Sequence, residues 1–154
     1  MKLVDELRQI SQQPNNETLL KRFLLDCCEK LLRFRSSDCL PKNLAIARLY
    51  LKGMATQKHI HQAGWEIEGD AFGAEYFSDK DARFYFRTDK NIRADLVQIR
   101  ISTGLNNVDS RRYLIDMAYF IDRVFCYVEH SSSWLFREEC EQFICPKLYQ
   151  KYFG

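Results

Sequence analysis

Between Asn16 and Arg35 apolar side chains recur at intervals of three and four: Leu20, Phe23, Leu24, Cys27, Leu31 and Phe34. That spacing places them on one stripe of an α-helix and no strand can reproduce it. A second stripe runs through Leu114, Met117, Ala118, Ile121, Phe125 and Val128, widened by Tyr113, Phe120 and Val124. Its width predicts a central helix over 110–129, covered on more than one side, with Asp109 as its cap. Two long helices, each with a broad apolar face, require further helices to cover them.

Punctuation supplies those elements. Leu3, Leu7 and Ile10 line a short helix over 3–12. Pro14-Asn15-Asn16 breaks it and offers an N-cap for the helix that follows. Arg35-Ser36-Ser37-Asp38 ends the second helix, and Pro41 suits the first turn of a third, with Leu44, Ala47 and Leu51 on its inner side. Gly53 terminates that helix. Thr56 then caps a fourth running to about Phe77, with Ile60, Ala63, Gly64, Ile67, Ala71 and Ala74 on one face and Trp65, Phe72 and Tyr76 on a neighbouring one. Gly69 and Gly73 would stack on that helix and admit another helix closely. Ser131-Ser132-Ser133 reads as a turn and cap, Glu138 and Glu139 suit the start of a following helix, and Pro146 opens a last turn ending at Phe153. With 6 Gly and 3 Pro in 154 residues, a many-turned β-sandwich is excluded. The expected fold is mainly α: a single-domain helical bundle over 1–154 with about six to seven helices. Residues 92–102 fit a helix through Ile92, Leu96 and Ile99, whereas Val97, Ile99 and Ile101 alternate. A short β-hairpin in 82–102 is therefore the alternative to a helix there.

The N-terminus has charges every few residues and no apolar targeting segment, and no apolar run approaches the roughly 20 residues that span a bilayer. A cytoplasmic protein with no membrane association is expected. The cysteines at 27, 28, 39, 126, 140 and 145 then read mainly as reduced thiols in apolar segments rather than as a disulfide framework.

Motifs for chemistry are absent. There is no phosphate-cradling glycine loop, no nucleophile elbow and no zinc-protease helix. His59 and His61 on a helix point about 200° apart, too far to chelate one ion. Cys140 and Cys145 lack a zinc spacing. Cys126 and His130 form an i, i+4 pair, but Cys126 borders the apolar stripe, so a core thiol is the better reading than a nucleophile. No catalytic residue, metal or cofactor is expected.

What remains is charge patterning. The chain has 23 Lys and Arg against 21 Asp and Glu, net +2, but the charges segregate. Between Thr56 and Asp79 only Lys58 is positive. Glu68, Glu75 and Asp79 share roughly one face, and Glu66 and Asp70 form a second i, i+4 pair. Arg83, Arg87, Lys90, Arg93, Arg100, Arg111 and Arg112 follow, interleaved early on with Phe84, Tyr85 and Phe86. The acidic helix can steer and hold a basic partner protein, and Arg83 and Arg87 join the acids as candidate partner-binding residues. The competing reading of the same acids is a solvated face only, answered internally by the arginines. The alternative function is a nucleic-acid-associated or regulatory domain using 83–112, through stacking and phosphate pairing.

The stretch Ala47-Arg48-Leu49-Tyr50-Leu51-Lys52-Gly53-Met54-Ala55-Thr56, followed by Ala63-Gly64-Trp65, resembles a pattern in small helical bacterial proteins. Some of these are immunity proteins of polymorphic or contact-dependent inhibition toxins. The resemblance implies a non-enzymatic cytosolic protein that binds one toxin domain, and an acidic helix suits the basic clefts of nuclease toxins. It carries over no individual functional residue and leaves the oligomeric state open.

Overall fold

The computed structural model describes residues 3–34, 38–77, 110–131 and 138–154. Among them the fold is mainly α with no strand. Six helices have eight or more residues: α1 (Leu3–Ser11), α2 (Glu17–Leu31), α3 (Cys39–Leu51), α4 (Gln57–Phe77), α5 (Ser110–His130) and, last in the chain, α7 (Pro146–Phe153). The short α6 (Glu138–Glu141) precedes α7, and 3-10 turns occupy Pro14–Asn16 and Leu32–Phe34. No helix among the described residues is long and apolar enough to cross a membrane. The helix or hairpin expected within 82–102 and the cap at Asp109 lie outside the described residues, as do Ser132 and Ser133.

Both apolar stripes are buried. Leu20, Phe23, Leu24, Cys27, Leu31 and Phe34 meet Met117, Ala118, Phe120, Ile121, Val124, Phe125 and Val128 in one core. α2 also buries Leu25 and Cys28, off the stripe, because α1, α3, α5 and α7 all pack on it. Phe23 is fully buried and ringed edge-on by Tyr149, Tyr152 and Phe153 at centroid distances of 6.2, 5.7 and 5.3 Å. Truncating such a side chain to alanine costs about 3–5 kcal/mol, through lost transfer energy plus the cavity left behind.

Polar ties fasten the outer helices to this centre. Arg48 on α3 reaches Asp26 at 2.9 Å and also pairs with Glu29, both on α2. The Tyr152 hydroxyl donates to the other oxygen of Asp26, joining α7 to the same node. Tyr149 donates to Glu6 on α1 at 2.7 Å, and the Leu3 amide donates to Glu141 on α6. All six cysteines are free thiols. Burial pushes the Cys27 thiol up to about 12.

Helix ends follow their local chemistry, with one departure. Asn16 precedes α2, yet its side chain bonds Gln13 at 2.7 Å and leaves the helix amides alone. At the end of α3, Gly53 adopts φ +73°, its amide bonds the Tyr50 carbonyl, and the Met54 amide bonds that of Leu49 at 2.8 Å. This is a Schellman ending, and the left-handed residue it needs is one that glycine accepts freely.

Candidate functional site

The acidic segment lies on α4, which begins with a reciprocal cap. The Thr56 hydroxyl accepts the His59 amide at 3.3 Å, and His59 Nδ1 accepts the Thr56 amide at 3.1 Å. This is a capping box with histidine in the place usually held by glutamate. The inner face of α4 buries Ile60, Ala63, Ile67, Ala71 and Ala74. Those small residues let α4 settle against both α3 and α5. Close approach falls at Gly64, where an added Cβ would meet the Glu129 carboxylate at 3.5 Å. Gly69, expected to admit a neighbouring helix, faces open space instead, because it lies outside the inner stripe.

α4 and α5 run antiparallel: His61 meets Glu129, Glu68 faces Asp122, and Phe72 meets Tyr119. At one end His61 Nδ1 and Gln57 Nε2 donate to Glu129 Oε2 at 2.9 and 3.2 Å. The Glu129 side chain is only 7% exposed, and His130 lies 3.5 Å from its other oxygen. In the middle, burial pushes Asp122 up to about 6, the facing Glu68 adds to the rise, and Arg123 opposes it. At the far end Tyr119 bonds Glu75 and takes Phe72 edge-on, ring centroids 5.9 Å apart.

Two large rings stay uncovered along this seam. Trp65 is 72% exposed and Phe72 is 55% exposed. Trp65 lies 5.9 Å from the His61 ring and Phe72 the same distance from Tyr119, so among the described residues each ring has one ring neighbour and stays largely exposed. Among the described residues neither Glu68 nor Asp122 forms an ion pair with a lysine or arginine.

The sequence-predicted acids therefore divide. Glu66 turns to α3, accepting from Asn43 Nδ2 at 2.9 Å and pairing with Lys42 at 3.0 Å, which holds its carboxyl below the usual range. Glu68 is exposed at the seam and Glu75 is exposed on Tyr119, while Asp70 is half-buried. Asp79, Arg83 and Arg87 lie outside the described residues, as does most of the arginine-rich stretch. Sequence reasoning missed Asp122, Glu129 and Tyr119. Their only signal was a polar residue recurring on the side of α5 away from its apolar stripe.

Other chemistry is disfavoured at this seam. Burial pushes the Cys126 thiol up to about 11, and Asp122, Glu68 and Glu129 push the same way. A nucleophilic thiolate needs the opposite surroundings. Among the described residues no three His, Cys, Asp or Glu side chains are arranged to hold a metal ion. A separate polar cavity of about 300 Å³ opens beside the ends of α1 and α5, lined by Arg8, Ser11, Gln12, Glu17, Tyr127 and Ser131. There Glu17 accepts from Ser131, which sits at φ +56°, and from the largely buried Lys21 at 2.9 Å. These bonds hold the Glu17 carboxyl below the usual range.

Compared with known proteins, the sequence matches no family model, and no significant match is found among curated proteins or solved structures.

Proposed function

We propose that this chain is a non-enzymatic protein-binding inhibitor, a cytoplasmic immunity protein that neutralises a cognate bacterial toxin by direct contact along the α4–α5 seam. One observation carries the reading: Trp65 and Phe72 stand exposed on α4 beside Glu68, Glu75 and Asp122. Exposed aromatic side chains are costly to leave in water and strong anchors once covered. Carboxylates beside them favour a basic partner and speed its approach through long-range attraction. A basic substrate cleft of a toxin nuclease has the matching charge. The resemblance at residues 47–56 and 63–65 supports the same reading, in which the protein acts inside the toxin-producing cell.

The test is co-expression with the C-terminal toxin domain encoded by the neighbouring upstream gene. A stoichiometric complex that survives purification and restores growth supports immunity. Failure to bind that domain, in a cell the toxin kills, removes the reading. Within a complex, E68K with E75K should slow association at low salt. Unchanged association would remove the acidic-seam mechanism.

A further inference from the structure

We infer that the partner docks by laying an arginine side chain along α4 between Trp65 and Phe72, its guanidinium resting on Glu68 and Asp122. The inference rests on the protein-binding reading and names the chemistry of what is bound. Trp65, Glu68 and Phe72 are spaced three and four apart, so they share one helix face with the carboxylate between the rings. Asp122 faces Glu68 from α5.

Other acids of the fold have been given internal partners. Asp26 and Glu29 hold Arg48, Glu17 holds Lys21, Glu66 holds Lys42 and Asn43, and Glu129 holds His61. Glu68 and Asp122 lie opposite one another in the register that pairs His61 with Glu129 and Phe72 with Tyr119, two like charges that, among the described residues, only Arg123 opposes. A partner cation relieves that repulsion. The rings on either side decide which cation. A guanidinium is planar, donates to two carboxylates at once and stacks on aromatic faces, whereas an ammonium is compact and strongly hydrated. The occupant is therefore a basic protein segment presenting arginine, by charge complementarity and by shape.

The probe is N-acetyl-arginine amide, titrated into the full chain beside its uncharged citrulline isostere and N-acetyl-lysine amide. The readout is the Trp65 indole N–H resonance, assigned with W65F. The arginine probe should move it saturably, and citrulline should not. Lysine should bind more weakly than arginine. E68Q/D122N should raise the midpoint by about tenfold, the fold-change expected on losing a charge-assisted bidentate contact, while helicity by circular dichroism is retained. Equal response to citrulline, no saturable response, or an arginine response untouched by E68Q/D122N overturns the inference. So does a concentration-dependent dimer that W65A disrupts, since a second copy would then be the occupant. A toxin complex that forms equally well with W65A and E68Q/D122N overturns the arginine seat and leaves the inhibitor role standing. An arginine response without any toxin complex does the reverse.

Discussion

The α2 centre and the α4–α5 seam use similar side chains to opposite ends. Around α2, aromatic rings and acids are turned inward: Tyr149 and Tyr152 pack on Phe23 while their hydroxyls hold Glu6 and Asp26. Along the seam, Trp65 and Phe72 face outward, and among the described residues Glu68 and Asp122 form no ion pair with a lysine or arginine, Arg123 only opposing their repulsion. The first arrangement saturates its hydrogen bonds and lowers the energy of this chain alone. The second leaves apolar area and negative charge for another molecule to cover. Stability and the proposed recognition thus occupy different faces of the bundle, and substitutions should separate them.

The largest effect belongs to the centre. F23A should lose about 3–5 kcal/mol of unfolding free energy by denaturant titration, since three rings close on that side chain. W65A is the counterpart on the seam. It should weaken binding of the proposed partner by at least about 2 kcal/mol, as buried interface anchors do, and shift unfolding by less than about 0.5 kcal/mol. If W65A unfolds the protein as F23A does, the division between the regions is gone. T56A should cost about 1 kcal/mol by removing the cap shared with His59, visible as a lower midpoint in thermal unfolding.

The smallest effect depends on pH. Asp122 has a folded pKa of about 6, above its unfolded value, so the native state holds the extra proton between them. Stability contributed by this group is full below the ordinary aspartate range and is lost as pH rises through about 6. D122N should therefore raise the melting temperature at pH 7.5, with the gain shrinking toward pH 4. A gain independent of pH would mean that the carboxylate is not under strain at the seam.

Much of the centre was legible in the sequence. The stripes on α2, α4 and α5 are buried where three- and four-residue spacing puts them, because that periodicity is local and sets which face a helix hides. The ties were not legible. Tyr152 and Asp26 are 126 positions apart, and no local rule joins them. The division of the acidic run on α4 into two sets was visible in its spacing, but not what each set would meet. Glu66 and Glu68 diverge only because α3 lies on one flank and α5 on the other. In the sequence His59 is legible only as a residue that cannot share an ion with His61, since a histidine closing a capping box carries no pattern of its own. Gly64 lies on the inner face where the spacing put it, whereas Gly69 faces open space: which glycine meets a neighbour is decided by where α5 crosses, not by the spacing of glycines.

The spacing of the two exposed rings on α4 also sets a length. Trp65 and Phe72 are seven residues apart, which at 1.5 Å per residue is roughly 10 Å along the axis. Any ligand that covers both rings must reach at least that far while staying nearly straight. A single turn of helix is about half as long. Two full turns of a partner helix, or three to four residues of extended chain, fill the interval. On the proposed reading the seam selects by extent as well as by charge, and a small basic molecule that satisfies one ring leaves the other wet.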